Sequence, residues 1–250
     1  MNDYKEIIES IDTNAIIEEI ERKPTDDCPE ISIKGSQCLN GTLKCFSFSS
    51  SGSLKAEGVD CFKEIKINGK ALFSGNISAK NIYFHGTVAC KGDVSAKYVV
   101  GGSGKFTCDK KISTLGFDIF GKACVSDTVD ARSINIYGGG KCAALIGAKD
   151  VNIGIGGKFE AESIEGGDVC VFLEKCKRFL KKLPLLSLFV KNGVVKSSVK
   201  GQNVKLEHIT CPLVIGDTVT IGKGAKIDLV QYKQKIDISP KAIVGRVEKI

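Results

Sequence analysis

Gly75-Asn76-Ile77-Ser78-Ala79-Lys80-Asn81-Ile82 is followed, seventeen residues on, by Gly92-Asp93-Val94-Ser95-Ala96-Lys97, and the two stretches carry one pattern. Each opens on glycine and then alternates apolar with polar residues at the two-residue period of a strand. Working outward, the glycines keep step. Gly35, Gly52, Gly69 and Gly86 are seventeen apart, and so are Gly41, Gly58, Gly75 and Gly92. After one inserted residue near Gly101-Gly102 the series resumes at Gly104, Gly121 and Gly138. A fixed period held over seven copies is the mark of a repeat architecture.

Stacking the copies produces apolar columns. One runs Leu39, Ala56, Phe73, Cys90, Cys108, Val125, Cys142. A second runs Leu43, Asp60, Ile77, Val94, Ile112, Val129, Ile146, with Asp60 its charged exception. A third runs Cys45, Phe62, Ala79, Ala96, Thr114, Ala131, Ala148, and a fourth Phe48, Ile65, Ile82, Val99, Phe117, Ile134, Val151. The glycines are the corners, where the chain needs positive φ or close approach. Three corners divide the period into sides of about five or six residues, so each copy is one turn of a triangular parallel β-solenoid.

The period returns near the end: Val204, Ile221 and Ile238 are seventeen apart, as are Ala225 and Ala242, Ile227 and Val244, and Leu213, Val230 and Val247. The expected fold class is therefore all-β, a parallel β-helix of about eleven turns and roughly 50 Å. The expected organisation is an acidic arm (1–30), the main β-helix (31–169), a basic amphipathic insertion (170–193) and C-terminal turns (194–250).

Composition narrows the rest. Residues 1–30 carry ten acids and three bases, so the remaining 220 residues are net +14 within an overall +7. No apolar run approaches the ~18–20 residues of a spanning helix, and the N-terminus reads as no signal peptide. Eleven cysteines without a CxxC pair point to reduced thiols in a cytoplasm, not to disulfides or zinc. Cys90, Cys108 and Cys142 read as small core hydrophobes.

Two segments depart from the period. Residues 3–22 read as helix, with Ile7, Ile8, Ile11, Ile16, Ile17 and Ile20 at helical spacing, and Asp12 or Thr13 can cap a second segment that ends at Lys23-Pro24. This stretch is expected to be a tethered acidic arm, or to cover the first turn or fold onto the basic side. In the insertion, Phe172, Leu173, Cys176, Phe179, Leu180 and Leu183 form an apolar helical face, opposed by Lys175, Lys177, Arg178, Lys181 and Lys182. Leu186 and Phe189 follow Pro184. This segment either packs onto the solenoid or makes a peripheral contact with an anionic membrane.

Catalytic signals are weak. Ile215-Gly216-Asp217-Thr218-Val219-Thr220 and Ile221-Gly222-Lys223-Gly224-Ala225-Lys226 look like two hexapeptide repeats, as in left-handed β-helix acyl- and nucleotidyltransferases. Such an enzyme needs a base, and His208 is the one candidate nearby. His208 and His85 read as corner or outward residues. The glycine clusters at 101–104, 138–140 and 154–157 lack the Gly-Lys-Ser/Thr ending of a phosphate loop and read as corners. No catalytic residue, cofactor, metal, small-molecule substrate or specific nucleic-acid partner is expected.

With its Gly-x(5)-Gly corners and the ending Val219–Ile227, Val230-Gln231-Tyr232 and Ile238-Ser239-Pro240-Lys241-Ala242, the chain resembles the bactofilins, polymer-forming cytoskeletal proteins of bacteria. The resemblance covers most of residues 31–250. It implies a right-handed β-helix assembling end to end, without nucleotide, into filaments that scaffold cell shape, division, motility or the envelope. It also implies a cytoplasmic location, partly at the inner face of the membrane, with the chain itself and other bactofilins as partners.

The residues lead to the same expectation by themselves. A solenoid ends in unpaired strand edges, and such edges recruit further strands unless capped. Little follows Val244-Gly245-Arg246-Val247, so Ile236, Ile238, Ala242, Val244 and Val247 are the expected C-terminal joint. Ile31, Ile33, Phe46 and Phe48 are expected at the other end. The competing readings are a trimeric transferase and a bactofilin partner that does not itself polymerise.

Overall fold

On each lap, two inward side chains precede a glycine corner and two more follow it, as in Ile65-x-Ile67-x-Gly69-x-Ala71-x-Phe73, where all four apolar residues are buried. That alternation closes the lap around a narrow core. The computed structural model describes residues 28–174 and 192–250, and these are all β, with no helix among them. The strands are β1 (Glu30–Cys38), β2 (Thr42–Ala56), β3 (Gly58–Phe73), β4 (Ile77–Cys90) and β5 (Val94–Cys108). Then come β6 (Ile112–Leu173), β7 (Gly193–Leu206), β8 (Ile209–Ile221), β9 (Lys226–Ile238) and β10 (Ile243–Lys249). Each pairs in parallel with the next, in the order β1 to β10, giving a β-solenoid of about 12 turns.

The glycine corner is a backbone requirement. Gly52, Gly69, Gly86, Gly104, Gly121 and Gly138 sit at φ between +114° and +140°, where L-residues are strained. Each lies directly above the one before, so a Cβ would overlap the carbonyl oxygen beneath it. Gly101-Gly102 are different. They lie within a side, in register with Tyr83-Phe84 before and Asp118-Ile119 after, and only Gly104 turns the corner.

The columns need correcting where the sides meet. Leu43 pairs with Val59, and Val59 with Ile77, so Val59 is the buried member of the second column. Asp60 points outward and accepts a hydrogen bond from Ser78 Oγ at 2.6 Å. Cys61, not Phe62, stacks on Cys45; Val100, not Val99, lies between Ile82 and Phe117. Leu145 is buried where Ile146 was expected, and Ala148 is exposed beside buried Gly147. Register shifts at the corners cause this: a lap one residue short is followed by one that is longer, which preserves the mean period and moves the pointing side chain. Two columns flanking the glycine corner also went unread, Ile67/Phe84/Ile119/Ile136/Ile153 and Leu54/Ala71/Val88/Phe106/Ala123, all buried.

The C-terminal laps are shorter at first. Val204 pairs with Val219 and Leu206 with Ile221, so the Val204–Ile221 alignment does not hold, and Leu213 pairs with Leu229 while Val214 pairs with Val230. Ile221 with Ile238, Ile227 with Val244 and Val230 with Val247 do pair as read. Around residues 170–193, β6 continues through Leu173 and β7 begins at Gly193.

The core includes thiols. Burial pushes Cys142 up to about 12 and Cys211 up to about 11 from the ordinary thiol value, and burial is the main cause for Cys45 as well, also about 12. A folded-state pKa above the unfolded one means stability that is complete below about pH 8.5 and is lost as pH rises. At pH 11 each of these thiols withdraws roughly 2–3 kcal/mol. The urea midpoint is therefore expected to fall steeply between pH 9 and pH 11, and the share of that fall due to these three thiols is roughly two-thirds smaller in a Cys142→Ala, Cys45→Ala background. A midpoint constant over that range would refute the buried-thiol account.

Candidate assembly surfaces

The inward columns end abruptly at the C-terminus. Val214 and Val230 are 0 % exposed and Val247, next on the same column, is 43 % exposed. Ile221 is 0 % exposed and its partner Ile238 is 38 %. Ile236, Ala242 and Val244 are half-buried against the core in the same way. These side chains face the place where another lap would lie. The structure thus brings all five predicted C-terminal residues together on one tier. Ile243 and Ile250, exposed at 62 % and 57 %, add apolar surface beside it that the column argument missed, since they point outward.

Backbone edges accompany the side chains. β10 covers only Lys226–Tyr232 of β9, so Lys233–Ile238 and then Ile243–Lys249 have no strand beyond them among the described residues. The edge is also basic: Lys233, Lys235, Lys241, Arg246 and Lys249 stand against Asp237 and Glu248. Lys233 pairs with Asp217 at 3.0 Å.

At the other end, Ile31 lies over Phe48 and Ile33 over Ser50, both half-buried as the first tier. Leu39 and Leu43 complete it; both were on the apolar columns, and that was the signal for them. Phe48 is 1 % exposed under β1 and Phe46 lies on a lateral corner, so neither belongs to the end face. Of the insertion, Phe172 and Leu173 are strand residues of β6, and Phe172 meets Tyr137 edge-on at 6.3 Å. Lys175, Cys176, Lys177, Arg178, Phe179, Leu180, Lys181, Lys182, Leu183, Leu186 and Phe189 lie outside the described residues, as does the arm up to residue 27.

One recess on the sides follows from the glycines within a side. The missing side chains of Gly101-Gly102 leave a dent of about 550 Å³ between Tyr83 on one lap and Asp118 and Phe120 two laps on. His85 hydrogen-bonds Ser103 at 2.6 Å on its wall. Asp118 accepts from Asn135, which in turn accepts from Asn152, a polar ladder between laps. His208 occupies a corner at φ +52°, with its Nε2 buried and unpaired. No family model, no curated protein and no solved structure matches the chain.

Proposed function

We propose that this protein is a self-assembling scaffold of the bactofilin kind. Its rods, a triangular and right-handed β-helix in this reading, join end to end into nucleotide-independent filaments. They act in cell shape, division, motility or envelope organisation, in the cytoplasm and at the inner face of the membrane. The observation that carries the proposal is the pair of apolar tiers, one at each end of the core, that no strand covers among the described residues. Such a tier is costly to leave in water, and a second copy fits it best because the same strand spacing repeats on both sides of the joint. The C-terminal tiers meet about a two-fold axis, each residue against its own counterpart.

Electron microscopy of the purified protein tests this. Filaments are the expected result; discrete trimers would instead support a transferase with its site between subunits. The basic edge adds a sign. Two C-terminal faces bring like charges together, so assembly is expected to strengthen as salt rises from about 10 mM to about 150 mM and the screening length shrinks from roughly 30 to 8 Å. Sedimentation velocity at the two salt levels reads it, and weakening with salt would count against a C-terminal joint.

A further inference from the structure

One lateral corner of the rod is a basic and aromatic ridge. Glu64, Asn81, Val99 and Gly116 are register partners, so the residues just before them fall in one row: Lys63, Lys80, Lys97 with Tyr98, and Leu115. The seventeen-residue step carries the row on to Arg132 and Lys149, and the pairing of Ser47 with Glu64 carries it back to Phe46. Phe46 and Phe62 stack at 5.8 Å, and the Lys80 ammonium sits 4.2 Å over the Phe62 ring. Lys63, Lys97, Arg132 and Lys149 are exposed and enter no ion pair among the described residues. Leu115 is 49 % exposed in the same row. From Phe46 to Lys149 the ridge climbs six laps, roughly 29 Å.

The chain enters the rod at the foot of this ridge. The Phe46 N–H donates to the Pro29 carbonyl at 2.9 Å, which holds Cys28 beside the first ring. Residues 1–27 carry nine acids (Asp3, Glu6, Glu9, Asp12, Glu18, Glu19, Glu21, Asp26, Asp27) against three bases, a net −6 opposite a row of cations. The helix predicted over 3–22 would measure about 30 Å at 1.5 Å per residue, the length of the ridge. Its isoleucines match the apolar edges of Phe46, Phe62, Tyr98 and Leu115. A strand of nucleic acid fits less well, because bases stack on ring faces and these faces are taken by one another and by Lys80. An anionic bilayer would have to displace an acidic segment tethered by residues 23–27, whose effective concentration is on the order of millimolar.

We propose that residues 1–27 dock in cis along the ridge, acids on Lys63, Lys80, Lys97, Arg132 and Lys149, leaving the apolar end tier uncovered. This stands apart from the filament reading, since it concerns a side of the rod. The test is zero-length carbodiimide coupling of the full chain, mapped by mass spectrometry. Expected links join arm carboxylates to Lys63, Lys80, Lys97 and Lys149, with a yield independent of protein concentration. Lys63→Glu, Lys97→Glu, Arg132→Glu is expected to lower that yield about tenfold, and Glu9→Lys, Glu18→Lys, Glu21→Lys in the same chain to restore docking, read as recovered protection of Arg22 from trypsin. All six substitutions fall on exposed or terminal positions, and the wild-type map decides the matter even if a variant fails to fold. Links spread over Lys55, Lys70 and Lys105, or a yield that climbs with concentration, would overturn docking in cis. So would flotation of the wild-type chain, but not the triple variant, with phosphatidylcholine vesicles holding about 30 % phosphatidylserine, which would assign the ridge to a bilayer.

Discussion

Gly104→Ala is expected to unfold several laps of the rod, whereas Gly157→Ala leaves it unchanged. At Gly104 two costs coincide. Its φ of +114° is one that an L-residue enters only under strain, and its Cβ would occupy the space of the Gly86 carbonyl oxygen. Neither atom can retreat, because Gly86 and Gly104 are both held in the ladder above and below. The sum is roughly 3–6 kcal/mol, a large share of a typical domain's stability. Gly35, with φ +79° and nothing within 4 Å of a Cβ, isolates the conformational part alone, at roughly 1–2 kcal/mol. Gly157 has neither constraint, and alanine there trims unfolded-state freedom by about 0.4–1 kcal/mol in the stabilising direction. Urea midpoints of the three variants read the series. If Gly104→Ala lay within about 1 kcal/mol of wild type, the stacked corner would not be what fixes the lap. Because each lap contacts its neighbours alone, the damage is expected to spread outward from lap to lap instead of melting the rod as a single unit.

The same corner explains how much the sequence discloses. A residue type that must recur because backbone touches backbone leaves a fixed mark, and Gly52 through Gly138 can be counted without knowing anything else. Core columns are less rigidly marked. At the opposite corners the chain tolerates bulges, so a one-residue slip between Cys45 and Ser47, compensated in the next lap, turns Asp60 outward and Val59 inward without altering the mean period. The alternation Val59-x-Cys61 was a readable alternative to Asp60-x-Phe62, and the charge on Asp60 was the warning. The two columns nearest the glycines, one on each side of the corner, are marked less plainly because Ser50 and Gly102 interrupt the first and small Ala71 and Ala123 the second. At the ends, Ile238 and Val247 were legible as column members with no successor. Ile243 was not, because its column partner Lys226 is polar and gave no reason to look. The recess at Gly101-Gly102 was hidden for another reason: glycine at a corner and glycine within a side look alike until register separates them.

Aspartate at Ile238 and Val244 is expected to abolish filaments while leaving the monomer folded. Both side chains are partly exposed on the isolated rod, so the substitutions cost the fold about 1 kcal/mol or less. In a joint they are covered by the facing copy, and an uncompensated carboxylate there costs several kcal/mol. A two-fold joint holds four of them, so association weakens by more than about 10³-fold. Ser95→Asp, on an exposed side position of β5, also adds negative charge but away from both ends, and is expected to leave assembly intact. The residual species then reports how the rods are arranged. Where like ends meet, filaments alternate two different joints. Disabling the C-terminal one leaves dimers joined through Ile31 and Ile33, and Ile31→Asp with Ile33→Asp leaves dimers joined through the C-terminus. In a head-to-tail filament each joint uses one end of each kind, and either double substitution reduces the assembly to monomers. Sedimentation of the two variants distinguishes dimer from monomer directly. Filaments that survive both would place the contact on the sides of the rod and remove the open tiers from the argument.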